Sequence, residues 1–459
     1  MGLLWLLSAG LIALDGFDFF IIGVALPFLR QDFGLSVAAV GAVAAAALVG
    51  ALVGSLTLGP ITDRVGRQRM LVVDILLFVV ATAGTALAWN AASLIAFRFL
   101  VGVAIGADYP ISVAYITENV PARYRGRLVI GAFAFQAVGA LLGAVTGVVV
   151  LHLCRALYAD PEPMAIHYAW RWMLGVGVAL ALGVAAVRLA IRLESPRYHI
   201  SRGEYEAASA AASQLLGEAI AITPDLEPPV NPEPIAYRTL FSPSHRRSTV
   251  LASVPWFLQD IATYGIGIFT PVIIAMLAFS TDIDPIVKEI NAARGAALVD
   301  VFLLVGFLCA VGLVDRLGRI GLQIIGFGGM ACGLLILAAS ALAPERSGTE
   351  AALVVAGFLV FNLMMNAGPN STTFLLSGEV FPTAIRATGA GFAAAVAKAG
   401  AVLGAFGLPI VTQTWGLPLV LVGIALLCGL AAALTHRYRP ETESPGLAIP
   451  PTDDCLGPG

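Results

Sequence analysis

Charge is scarce in this 459-residue chain: only 12% of residues are Asp, Glu, Lys or Arg, while 59% are hydrophobic. Soluble domains carry about 25% and about 45–50%. That balance excludes a soluble globular domain, and no nucleic-acid partner is expected. Cysteine is nearly as thin. Five form an odd set with no disulfide framework or metal-ligand spacing, and Cys309, Cys332 and Cys428 lie inside apolar runs, where a small side chain packs readily. The five histidines, His152, His167, His199, His245 and His436, fall in loops or at the ends of runs, so proton chemistry in the apolar interior is left to carboxylates. No nucleophile with its base, metal cluster or cofactor loop is visible, which argues against an enzyme and against any cofactor. Lysine is almost missing, with Lys288 and Lys398 alone.

What the chain has instead is long apolar runs. Twelve reach the roughly 20 residues needed to cross a bilayer: 5–29, 37–60, 70–89, 91–118, 128–152, 170–192, 248–279, 290–312, 320–343, 350–378, 388–412 and 416–436. The first has no basic flank and carries Asp15 and Asp18, so it reads as a retained spanning helix and not as a secretory signal. Arginine clusters in alternate connections: Arg64, Arg67 and Arg69; Arg123, Arg125 and Arg127; Arg316 and Arg319; Arg386; Arg437 and Arg439. Short arginine-rich loops stay on the cytoplasmic side, which predicts both termini there, in a bacterial inner (plasma) membrane protein.

One connection is long, from Glu194 to Arg247. Its Gly203–Glu218 stretch has helix-forming composition, and Thr223–Glu233 is proline-rich. The expected architecture is all-α: a six-helix bundle at 1–193, a linker at 194–247 with a short amphipathic helix, a second bundle at 248–436 and a disordered tail at 437–459. An internal repeat supports the division. Asp63–Arg67 reads DRVGR and Asp315–Arg319 reads DRLGR, and Glu118, Pro121 and Arg125 recur with identical spacing as Glu379, Pro382 and Arg386. Two pseudo-symmetric halves of six transmembrane helices are the economical explanation.

With that repeat, the chain resembles the major facilitator superfamily of transporters over nearly all its length. GPITDRVGRQR at Gly59–Arg69 looks like the superfamily loop signature, and Asp63, Arg64, Arg67, Glu118, Arg125, Asp315, Arg316, Arg319, Glu379 and Arg386 are expected to act as latch or gating groups. Arg98 is assigned to the same helix-end class. Within the superfamily, GADYPISVAYITE at Gly106–Glu118, WFLQDIATYG at Trp256–Gly265 and NAGPNSTTF at Asn366–Phe374 resemble the signatures of phosphate:proton symporters. Ala107 and Ala367 depart from the usual Gly and Phe.

The residues make chemical sense beside the resemblance. Trp256, Asp260 and Tyr264 recur every four residues and share a helix face, placing a carboxylate at bilayer depth at a cost of about 2.5–3.5 kcal/mol. A site for dihydrogen phosphate takes donors from Tyr109, Gln136, Trp256, Tyr264 and Asn370, an acceptor at Asp260 and the positive charge of Lys398. Against this, the aromatics also suit ordinary packing, Asn366 and Asn370 suit bonds across helices, and Lys398 suits a structural pair with Asp15 or Asp18. Asp15 and Asp18 share a face of the first helix, and the resemblance assigns them, with Asp108 and Asp260, to the proton path. Asp74 and Asp300 match no motif.

The implied activity is inorganic phosphate:proton symport by alternating access, with protons, phosphate and the lipid bilayer as partners and a monomer as the expected state. LDGFD at Leu14–Asp18 also looks like the organic acid:proton symporters, so an aromatic or organic acid, or a sugar, is the alternative substrate class. A receptor that binds the nutrient without moving it ranks lower, because the linker and tail hold no obvious signalling domain.

Overall fold

A computed structural model describes residues 2–65, 67–119, 122–158, 160–190, 199–200, 203–216, 220–223, 237–277, 284–344, 347–381 and 385–439; within these, the side chains of 2–8, 59–69, 71, 107–126, 214–216, 276–277 and 386–387 are excepted. The first half comprises α1 (Gly2–Asp32), α2 (Val37–Val65), α3 (Arg67–Ala86), α4 (Ala91–Asn119), α5 (Ala122–Leu157) and α6 (Trp170–Ala190). The second comprises α7 (Arg246–Leu277), α8 (Pro285–Leu317), α9 (Arg319–Ala339), a broken tenth segment of α10a (Gly348–Ala367) and α10b (Pro369–Glu379), α11 (Arg386–Trp415) and α12 (Leu417–Tyr438). The linker helix spans Tyr205–Leu216. Among the described residues no strand is present, and ten helices are long and apolar enough to cross a membrane; Val72–Ala86 and Ala91–Gly106 are shorter described stretches of the same kind.

Local chemistry sets several boundaries. Asp284 caps α8 by accepting from the Ile286 and Val287 amides at 2.9 and 3.2 Å, with Pro285 at the first position. Ser347 caps α10a through the Glu350 amide at 3.1 Å. The glycine of DRLGR, Gly318, adopts φ +74°, a left-handed turn that carries the chain from α8 into α9.

Packing repeats between halves. In the first, α1 packs on α5 and α6, α2 on α4, and α3 on α4 and α6. Adding six to each number gives the second: α7 on α11 and α12, α8 on α10a, and α9 on α10a and α12. The halves meet along α2–α11 and α5–α8, which the same shift interchanges, and along α1–α7.

Glycine permits these contacts, since helices in lipid associate by close van der Waals packing and not by a hydrophobic drive. On α2 and α4, a Cβ on Gly102 would lie 1.8 Å from the Ala47 carbonyl oxygen and one on Gly54 2.2 Å from that of Val103. On α7 and α11, a Cβ on Gly400 or Gly404 would lie similarly close to the carbonyl oxygens of Phe257 and Ile261, at 2.2 and 2.3 Å. Large exposed apolar residues such as Leu182, Leu308 and Leu426 lie on the outward faces.

Two expectations need correction. The tenth span, expected to be continuous, breaks at Gly368–Pro369, because Pro369 brings no N–H and Gly368 takes non-helical angles (φ −114°, ψ −103°). Arg98 is not a helix-end group. It lies two turns into α4 with no exposure.

Gly102→Leu is expected to lower stability by at least ~1–3 kcal/mol, since the side chain must displace backbone. Thermal melts in detergent check this against Gly183→Leu, where a Cβ meets nothing within 4 Å.

Candidate functional site

Helical spacing brings Trp256, Asp260 and Tyr264 to one side of α7, facing α11, which carries Lys398. The Lys398 ammonium donates to Asp260 Oδ2 at 3.2 Å and to the Tyr264 hydroxyl at 2.9 Å, and stands 4.5 Å from the centre of the Tyr264 ring. Asp260, Tyr264 and Lys398 are 2%, 3% and 5% exposed. Trp256 lies within electrostatic reach of Asp260 and meets Phe374 edge-on at 4.6 Å. Two opposite charges thus hold each other at bilayer depth, with a phenol and an indole completing the centre. The expected face is present, and its lysine joins Asp260.

Beside this centre runs a track of amides. Gln259 donates to Asn370 Oδ1 at 3.1 Å and to Thr263 at 3.0 Å, and Asn370 donates across the break in the tenth segment to Asn366 Oδ1 at 2.8 Å. Asn366 in turn donates to the Asn362 carbonyl at 2.9 Å. Asn366 and Asn370 are four residues apart, so the helical period keeps the two amides on one face across the break. Gln136, Thr263, Tyr264, Asn366 and Asn370 form the polar wall of a small cavity of about 20 Å³, and Phe20, Leu303, Phe307 and Met365 are among its apolar wall. Of the expected anion-binding residues, the structure therefore brings Gln136, Tyr264 and Asn370 to one cavity, with Lys398 one hydrogen bond behind Tyr264. Trp256 stands with Asp260 away from that wall. The side chains of Tyr109 and Asp108 lie outside the described residues.

The first half holds a second buried pair, which sequence reasoning missed. Arg98 Nη2 is 3.5 Å from Asp18 Oδ2, and Arg98 Nε donates to the Val43 carbonyl at 3.1 Å. Arg98 is wholly buried and Asp18 is 3% exposed. The available signal was position: Arg98 interrupts an otherwise apolar run from Leu94 to Gly106. Asp15, 3% exposed, lies within electrostatic range of Tyr264. Phe19 meets Tyr264 edge-on at 5.4 Å, joining α1 to α7.

The expected latch groups divide. At the arginine-rich end, Asp315 pairs across the halves with Arg127 at 2.5 Å, whereas Arg319 and Glu379 form a two-bond pair within the second half at 3.1 and 3.2 Å. Arg316 is exposed with no ion pair among the described residues. The side chains of Asp63, Arg64, Arg67, Glu118, Arg125 and Arg386 lie outside the described set. Phe133 of α5 stacks on Phe374 of α10b at 3.9 Å, also between halves. At the opposite end, Arg155 pairs with Asp284 at 3.6 Å and Arg294 contacts His152 at 2.8 Å, again joining α5 to α8. The halves are thus tied at both ends, with the cavity between.

The family described as sugar (and other) transporter matches residues 6–447. Among curated relatives, a putative metabolite transport protein, YaaU of Escherichia coli K12, is 29% identical over 97% of this chain and 93% of its own length. A probable inorganic phosphate transporter, 1-3 of Oryza sativa subsp. japonica, is 32% identical over 80% of this chain and 74% of its own. Among solved structures, the E. coli xylose transporter XylE in a partially occluded inward-open conformation superposes with a TM-score of 0.77 at 21% identity, covering 96% of this chain and 98% of that one. A second structure of XylE, described as a major facilitator proton:xylose symporter, gives 0.75 over 95% of each chain, also at 21% identity. At that identity the likeness shows the fold.

Lys398→Met leaves the Asp260 carboxylate buried without its cation and is expected to destabilise the protein by ~3–5 kcal/mol. Adding Asp260→Asn should recover most of that loss. Melts of the two single variants and the double variant in detergent measure the coupling.

Proposed function

We propose, from the premise that the chain belongs to the sugar (and other) transporter family, that it is an inorganic phosphate:proton symporter working by alternating access around a midplane site. One observation carries the reading: Lys398 is held by Asp260 and Tyr264 immediately behind an amide-lined cavity. While Asp260 is ionised, it neutralises the lysine. A proton on Asp260 ends that pairing, and the ammonium, with the Tyr264 hydroxyl and the Gln136 and Asn370 amides, becomes available to an anion. Dihydrogen phosphate suits this set because it offers acceptor oxygens to the lysine and the amides and donor hydroxyls to the carbonyl oxygens of Gln136 and Asn370.

Proton and anion then favour each other's binding by the same free energy, which is the thermodynamic requirement for coupled movement. Either ligand alone leaves an uncompensated charge in a low-dielectric site; both together leave none. Asp18 and Arg98 repeat the arrangement in the first half, so a proton on Asp18 would likewise release Arg98. With Asp15 beside them, and Asp108 in the assignment from sequence, they are the proposed proton-linked groups on that side. The latch pairs at the two ends of α5 and α8 would break in turn as the halves rock. The arginine-rich end is proposed to face the cytoplasm, with both termini, in a bacterial plasma membrane.

A second reading has its own support. The apolar wall of Phe20, Leu303, Phe307 and Met365 suits the carbon skeleton of an organic acid or a sugar, and the lysine would meet a carboxylate as readily as a phosphate. Transport into proteoliposomes separates the two. The wild-type protein should accumulate labelled phosphate about tenfold per coupled proton for each unit of imposed pH gradient, and Asp260→Asn should bring gradient-driven uptake to background. Accumulation of 4-hydroxybenzoate or xylose with no response to phosphate transfers the assignment to the second reading, and undiminished uptake by Asp260→Asn overturns the coupling role.

A further inference from the structure

Asp300 lies at mid-span on α8 and belongs to no motif. Buried residues of that helix form a stripe, Ala293, Ala296, Asp300, Leu303, Phe307 and Ala310, while Leu298, Val301, Val305 and Leu308 are more exposed on the outward face. Leu303 and Phe307 of the stripe line the central cavity. Asp300 therefore stands one turn from the cavity, about 4.5 Å along the helix axis from the level of Leu303, on the side away from the arginine-rich end.

Its surroundings lack charge. The pairs Arg127–Asp315 and His152–Arg294 set the register of α5 on α8, the contact of Gly295 with Ile274 sets that of α7, and the approach of Gly306 to the Leu363 carbonyl sets that of α10a. In that register Asp300 faces residues 139–146, 266–274 and 354–362, and none of these segments contains a titratable or charged side chain. Among the described residues no hydrogen bond or ion pair reaches Asp300, although it is only 6% exposed. The nearest charged groups along α8 are Arg294, six residues towards one end, and Asp315, fifteen towards the other, with the Cys309 thiol nine residues away.

We infer that Asp300 is a further proton-carrying site of the transport cycle, separate from Asp260 and from the Asp18–Arg98 pair and reached through the central cavity. The inference rests on the proton-coupled reading above. A lone carboxylate offers one ligand group where a divalent cation takes six or more oxygens, so a metal ion does not suit it. An ionised carboxylate in this apolar setting costs several kcal/mol, whereas the acid form does not carry that penalty. In the closed arrangement Asp300 therefore holds its proton. When α8 parts from α5 and water enters along the stripe, the O–H bond breaks, the proton passes to water and the hydrated carboxylate remains. Reclosure requires it to take a proton back. Because α8 belongs to the second half and α5 to the first, this step is linked to the relative motion of the halves.

Asp300→Asn mimics the protonated form. In proteoliposomes under a one-unit pH gradient without membrane potential, it is expected to lower phosphate accumulation about tenfold relative to wild type, the loss of one coupled proton, while phosphate counterflow persists and Asp300→Glu restores the gradient response. Equal accumulation by Asp300→Asn and wild type overturns the inference. A second measurement needs no substrate: infrared difference spectra of wild type against Asp300→Asn at neutral pH should show a protonated-carboxyl carbonyl band missing from the variant. Absence of that band also overturns it. Presence of the band in a protein that fails to accumulate phosphate supports Asp300 and counts against the phosphate reading alone.

Discussion

A cation at bilayer depth must be compensated, and the second half of this protein is arranged around that requirement for Lys398. Lys398 is buried from bulk solvent, and Asp260 and Tyr264 take its hydrogen bonds. This arrangement needs α7 and α11 to lie close enough for short contacts, and Gly400 and Gly404 provide that closeness by allowing the α11 backbone onto the carbonyls of Phe257 and Ile261. Those carbonyls lie one position either side of the span that holds Leu258 and Asp260. The small residues that bring the helices together are thus interleaved with the charged ones that need the contact.

The same economy recurs on the other side of the molecule. Arg98 and Asp18 join α4 to α1, while glycine contacts draw α4 onto α2 and α1 onto α5. Each half has a buried acid–base pair tying two helices, and the cavity lies where the halves meet. Exchange of partners at such a pair is the physical means by which binding of a small charged ligand changes helix packing, because either partner left alone is far costlier than the two together. The broken tenth segment adds a fixed polar wall, in which Gln259, Asn366 and Asn370 satisfy one another and leave the cavity lined without stranded donors.

Much of the fold was legible in the residue order. Apolar run lengths located the spans, and the repeated DRVGR and DRLGR marked two halves whose packing indeed repeats with a shift of six. Trp256, Asp260 and Tyr264 were legible as a face because their spacing of four is a helical period. The break at Gly368–Pro369 was less so: a glycine and a proline inside an apolar run also occur in unbroken membrane helices, and the close fit of Gly368 against the Gly326 backbone is visible only in the packing. Arg98 was misplaced because sequence counts distance from a helix end and not depth. Only the packing of α1, α2 and α4 around it shows that no route to the surface is left.

Composition and order alone were enough for an all-helical membrane protein, its repeat and a short roster of intramembrane polar residues, since the cost of burying charge in lipid makes each one conspicuous. Partner choice was another matter. Whether Lys398 would meet Asp260, Asp15 or Asp18 depends on distances between helices that are more than a hundred residues apart in the chain, and no local rule carries that information. Hydrogen-bond and ion-pair contacts form only within a few ångströms, so the pairing, the cavity and the isolation of Asp300 were decided by tertiary structure.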